Sequence, residues 1–259
     1  VLLERKAARL RKETGNPGYR SKLASDLAPK ELFRHSIIRP LKMLIYYPIV
    51  TIMCTYVAVL YSILYLLFTT YSFVFREVYG FSTSDAGLVF IAGGIGTFLG
   101  LFYVGYFSDR TLQTRAAAGK IITPEDRLPL IITIPGSLAF PIGLFIYGWG
   151  IEKHLHWIVP QLGTAITGFG SILIFIGIQT YLVDAFVEYA ASVIGANAVL
   201  RGIAGALIPL GGLDMYNKIG WAWGNSLLAF ITLAFAPIPW VFGLYGAKIR
   251  NLTSSQIIL

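Results

Sequence analysis

"GLVFIAGGIGTFLGLFYVGYFSDR", residues 87–110, decides how the rest of the chain is read. Its first 18 residues carry no charge, close to the ~20 apolar residues a helix needs to cross the hydrocarbon of a bilayer. Gly93, Gly96 and Gly100 recur at a spacing of three to four, which places them on one helical face. Such small-residue stripes let membrane helices approach closely. The glycines fit neither the G-x-G-x-x-G nor the P-loop pattern, and no Lys-Ser/Thr follows, so a nucleotide loop is not expected. Asp109 and Arg110 then stand side by side before a basic, loop-like stretch, "TLQTRAAAGKIITPEDR". The pair reads as the polar cap of a membrane helix.

The rest of the chain repeats this texture. Of 259 residues, 56% are hydrophobic and 13% charged, against about 25% charged in an ordinary soluble domain. Six apolar segments, near 44–75, 85–107, 128–150, 157–181, 189–213 and 221–247, predict an all-α membrane protein built as a six-helix bundle. Residues 1–43 read as a basic region with amphipathic and interfacial helices, and 248–259 as a tail. Pro135, Pro141, Pro209, Pro237 and Pro239 fall inside spans, which membrane helices tolerate where neighbours satisfy the freed backbone groups. "LLERKAARLRKETGN" reads as a charged helix stopping at Gly15, and the opening at Val1 suggests a piece of a longer protein.

The charge of +8 is a topology signal. Residues 1–43 hold 11 of the 21 Lys and Arg. Assigned to alternate sides, 17 basic residues fall with the termini and the 108–127 loop, and only Arg76, Lys153 and Lys218 fall opposite. The positive-inside rule then puts both ends in the cytoplasm. Nucleic acid is not an expected partner, whereas the lipid bilayer is. Cys54 is the single cysteine, and His154 and His156 have no further ligands near them in sequence. No cofactor, metal site or catalytic constellation is expected, so the chain does not read as an enzyme.

Polar groups inside the spans carry the functional signal, because the bilayer makes them expensive. Arg201 lies mid-span with Asn197 one turn earlier on the same face. Tyr61, Tyr65 and Phe68 share a face of the first span, as helix packing or as an aromatic wall for amphipathic or cationic ligands. Gln179 and Thr180 sit near the end of the fourth span, and Asp184 and Glu188 follow at its junction with the fifth.

The order of these features resembles a known family. Gly105-x-x-x-Asp109-Arg110, closing an even-numbered span and opening a basic loop, is similar to a motif of the major facilitator superfamily that recurs in each six-span half. "LLERKAARLRKETGN", "RPLKML…YPIV…YSILYLLFTTYSFVF…YGFSTSDAGLVF" and "TYLVDAF…YAASVIGANAVLRGIAGALIPL" resemble the central loop and later spans of fungal drug:proton antiporters of the 12-span type. The resemblance covers nearly the whole chain and implies its C-terminal half, with a missing N-terminal six-span half as partner. It implies proton-driven export of drugs or other small amphipathic or cationic molecules by alternating access, from the plasma membrane. Substrate contacts would come from Tyr61, Tyr65, Gln179, Asn197 and Arg201. Gly105, Asp109, Arg110 and Asp184 would gate, with Asp109 capping or pairing with a neighbouring helix end. Leu112, Gln113 and Thr114 depart from the motif's basic continuation, and Tyr47 stands before Pro48 where an acidic residue is common. A six-span channel or self-assembling scaffold, complete in this chain, is the alternative.

Overall fold

The computed structural model describes residues 2–16, 18–19 and 29–254, and every regular element among them is helical. Contacts divide the chain into two units, residues 1–39 and 40–259. The first contains α1 (Leu2–Thr14), which ends at Gly15 with φ 65° and carries an Arg9–Glu13 ion pair at 2.7 Å. Helix α2 (Pro29–Tyr46) runs across the boundary between the two.

The second unit is the bundle. Helix α3 (Pro48–Glu77) starts where Pro48 occupies its first turn, a position at which the missing N–H costs nothing. A short helix α4 (Thr83–Leu88), capped by Ser82 Oγ accepting from Asp85 N, leads into α5 (Phe90–Ala117). A 3-10 turn at Pro124–Arg127 precedes α6 (Leu130–Glu152), and α7 (Ile158–Ala185) returns. The chain ends with α8 (Ala190–Leu207), α9 (Gly212–Phe235) and α10 (Pro237–Ser254).

Among the described residues, five stretches are long and apolar enough to cross a membrane, and the last runs continuously from Val187 to Ile249. At 1.5 Å per residue those 63 residues would extend about 95 Å as a straight rod, three times the hydrocarbon thickness. Gly220 breaks it, with φ 78° and ψ 169°, a conformation glycine adopts without steric cost. Tyr216 consequently stacks on Trp221 at 4.3 Å and its hydroxyl meets Asn225 Oδ1 at 3.1 Å. Residues 221–246 then run back along α6, from Glu152 at one end to Leu128 and Glu125 at the other. Gly220 thus divides the final stretch into two crossings, which makes six among the described residues.

Close approaches at glycine set the helix seams. A Cβ built on Gly96 would sit 1.8 Å from the Ala165 carbonyl oxygen of α7, so α5 and α7 touch backbone to backbone. Gly143 and Gly163 do the same between α6 and α7. The small-residue face read at Gly93, Gly96 and Gly100 therefore packs as expected. Large side chains fill the space between α3, α6 and α7, including the fully buried Tyr56, Phe75, Phe140, Tyr147 and Tyr181.

Two boundaries differ from the sequence reading. Helix α5 continues ten residues beyond 107, so Asp109 and Arg110 lie inside it and do not cap its end. Good helix formers (Leu112, Gln113, Arg115, Ala116, Ala117) carry it on until Gly119 turns the chain with φ 65°. The expected gap at 214–220 is likewise helical up to Gly220.

Proline is accommodated by a neighbour. Pro135 cannot donate to the Ile131 carbonyl one turn earlier, and the Tyr103 hydroxyl of α5 donates to that oxygen at 2.9 Å. Tyr103→Phe is expected to lower stability by about 1 kcal/mol, read as a lower thermal midpoint of the purified protein. An unchanged midpoint would mean that the freed carbonyl finds another donor.

Candidate functional site

Arg201 stands on the face that α8 turns toward α3 and α7. Its guanidinium carbon lies 4.6 Å from the centroid of the Tyr61 ring and 5.6 Å from that of Phe175. The two rings meet edge to face at 5.1 Å. A cation over aromatic faces is attracted by their quadrupoles, and the planar guanidinium suits such stacking. Arg201 is half-buried and has no carboxylate partner among the described residues.

One turn back on α8, Asn197 is buried and donates through Nδ2 to Gln179 Oε1 of α7 at 2.7 Å. Its own Oδ1 has no hydrogen-bond partner among the described residues. On α3 the aromatic line continues from Tyr61 to Tyr65 at 6.4 Å and on to Phe68 at 6.4 Å, both rings being exposed. Gly205 of α8 comes so close to the Tyr65 ring that a Cβ there would sit 2.7 Å away. Phe68 also borders a cavity of about 340 Å³ between α3, α5 and α7, into which Gly93, Thr97 and Ser171 open. That volume lies within the ~300–1,000 Å³ range of small-molecule sites.

The five residues expected at a substrate site stand near one another on α3, α7 and α8, and of this aromatic line only Phe68 borders the 340 Å³ cavity. Phe175 was missed, although it precedes Gln179 by one turn on the same face of α7. Thr180 is occupied otherwise, since its hydroxyl donates to the Ile176 carbonyl at 2.8 Å.

The candidate gate lies at the end of the bundle where α3 begins and α5 ends. Gly105 faces open space, and Asp109 and Arg110 are exposed. Arg110 donates to the Tyr106 hydroxyl at 2.8 Å, and Asp109 has no ion-pair partner among the described residues. Fixed contacts occur just beyond them. Arg115 meets the buried Asp126 at 2.8 Å, while Asp126 also closes a capping box by accepting from Thr123 N at 2.9 Å. The next residue, Arg127, pairs with Asp184 at 2.6 Å. A two-link chain thus ties the end of α5 to the 3-10 turn and the turn to the end of α7. Asp184 is reached by Arg127 because the 3-10 turn carries the guanidinium to the end of α7. The sequence reading missed these links; Thr123-x-x-Asp126 has a capping-box spacing that marks the turn but not the ion pairs.

Asp126→Ala removes one ion pair and one cap together, and the pair is half-shielded from water. The expected cost is about 2 kcal/mol, measured as a lower thermal midpoint with faster proteolysis between Ala117 and Leu130. Wild-type proteolysis there would show that the turn holds without Asp126.

At the opposite end, Glu152 accepts from Trp221 N at 3.0 Å and Ala222 N at 3.3 Å. A carboxylate at the start of the last crossing satisfies orphan N–H groups and suits the helix dipole. Tyr79 donates to the Gly150 carbonyl at 3.3 Å, and burial raises its phenol above the usual value.

Comparison with known proteins places this geometry in a family. Residues 2–209 match the profile of the Major Facilitator Superfamily. An MFS-type transporter penM of Penicillium rubens is 49% identical over 99% of this chain, and an MFS-type transporter atr4 of Stereocaulon alpinum is 49% identical over 97%. An efflux pump radE of Floropilus chiversii is 44% identical over 100% of it. The chain spans about half the length of these relatives, 50%, 45% and 48% respectively. No solved structure matches. The six-crossing helical bundle, its glycine seams and these matches together lead to one assignment: the chain belongs to the Major Facilitator Superfamily, a family of multi-pass integral membrane transporters.

Proposed function

We infer that this bundle is the C-terminal half of a proton-coupled exporter of small amphipathic molecules, working by alternating access. The observation that carries the reading is the polar and aromatic cluster of Arg201, Tyr61, Phe175, Asn197 and Gln179, set within the spans of a chain whose relatives are twice as long. Arg201 lies about 16 Å along the helix from Ala190 and about 28 Å from Gly220, well inside the hydrocarbon depth. Transporters of this class bind substrate near the midplane between two repeats, and the missing half would face the cluster from the other side. The 17-to-3 basic bias supports a cytoplasmic location for the end holding Asp109, Arg127 and Asp184, and the export reading takes the plasma membrane as its site. The channel or scaffold alternative lacks support from relatives named as transporters and efflux pumps.

Within residues 40–254, every Asp and Glu lies near a span end or in a connection. The proton-carrying carboxylate of a coupled cycle would then reside in the other half. The test is expression of the full reading frame in a yeast strain stripped of its own efflux pumps. Reduced accumulation of an amphipathic fluorophore, abolished by a protonophore, is expected. Equal accumulation with and without expression, across a panel of such dyes, would overturn the export reading.

A further inference from the structure

We propose that the Arg201 cluster is a site for the acidic group of an amphipathic organic anion, such as a carboxylate or enolate attached to an apolar body. The proposal rests on the reading of this half as part of a transporter, and it narrows the substrate by the sign of its charge. A cation inside a bilayer must be compensated. Helix α8 contains no Asp or Glu, and the nearest acids along the chain, Glu188 and Asp214, are each 13 residues away, or about 20 Å at helical rise. The midsections of the other five crossings contain no Asp or Glu. The aromatic faces of Tyr61 and Phe175 attract the guanidinium without neutralising it.

The surroundings fit the remainder of such a ligand. Asn197 Oδ1, one turn from Arg201, is buried without a hydrogen-bond partner among the described residues. It would accept from a hydroxyl or amide N–H adjoining the acidic group. From Tyr61 the exposed rings of Tyr65 and Phe68 lead along α3, a run of seven residues or about 10 Å. At its end lies the 340 Å³ cavity, whose lining is mostly apolar, for the body of the molecule. A cationic ligand in the same place would put two like charges together in a medium of low dielectric. The geometry therefore favours an anion over the cationic substrates that an aromatic wall alone suggests. A carboxylate from the missing half is the competing partner for Arg201, and it gives a different experimental result.

The experiment uses the full-length protein in lipid nanodiscs and one fluorophore in three charge forms: 1-pyrenebutyrate, its methyl ester and 1-pyrenebutylamine. Empty nanodiscs correct for partition into lipid. Wild type should bind the carboxylate about tenfold or more tightly than either other form, the scale of one charge-assisted hydrogen bond. Arg201→Gln should erase that preference by weakening the carboxylate alone, while Arg201→Lys should retain part of it. Equal affinity for all three forms in the wild type would overturn the proposal, as would a preference surviving in Arg201→Gln. If Arg201→Gln lowers the ligand-free thermal midpoint and leaves the affinity ratio unchanged, Arg201 pairs with the other half and the proposal fails. Failure of the transporter reading is recognised separately, as absent efflux by a wild-type protein that still shows the charge preference.

Discussion

The full-length transporter carrying Arg201→Ala is expected to reach the membrane in normal amount and to lose about 30- to 100-fold in export rate. The guanidinium is the only formal charge in the Tyr61, Phe175, Asn197 and Gln179 cluster. Hydrogen bonds to a charged group contribute about 1.5–3 kcal/mol, or roughly 10- to 150-fold in affinity. Folding should be spared, because alanine is a better helix former and removes a half-buried charge that no carboxylate among the described residues balances. Efflux and surface abundance are measured together, so that a loss of protein is not mistaken for a loss of transport. Wild-type efflux of several substrates would mean that Arg201 is not used.

Gly96→Ala should destabilise the bundle by about 3 kcal/mol, although it adds only one methyl group. That methyl would lie 1.8 Å from the Ala165 carbonyl oxygen, and backbone cannot rotate away as a side chain can. Helices α5 and α7 would have to separate along a seam that also holds the Gly93 carbonyl against Gly168. Overpacking of this kind typically costs 1–3 kcal/mol, occasionally more. Gly94→Ala provides the control, since a Cβ there meets nothing within 4 Å. A large drop in monodisperse yield and thermal midpoint for Gly96→Ala, against no drop for Gly94→Ala, is the expected result. Equal behaviour of the two would show that the seam is loose.

The stretch at 87–110 shows how much of this was legible in the linear chain. Its glycine spacing announced a close seam, and the seam exists at Gly96 and Gly100. Its Asp109–Arg110 pair suggested a helix end, yet α5 continues to Ala117. Charge marks departure from the hydrocarbon, whereas backbone hydrogen bonding continues into water when the following residues favour helix. Similarly, Asp184 was recognisable as an acid at a span end. Its partner Arg127 is 57 residues away, and only the turn at Pro124–Arg127 brings the two together.

By itself, the sequence determined the class of solvent, the six crossings and the residues that do not belong in lipid. Those are consequences of composition and period, which act locally along the chain. Tertiary structure decided which expensive groups compensate one another: Tyr103 for the carbonyl freed by Pro135, Glu152 for the start of the last crossing, Gln179 for Asn197. It also decided that Arg201 receives two aromatic faces and, among the described residues, no carboxylate. Compensation depends on atoms meeting within about 3 Å, and residues that meet so closely here stand 18 to 69 positions apart in the chain.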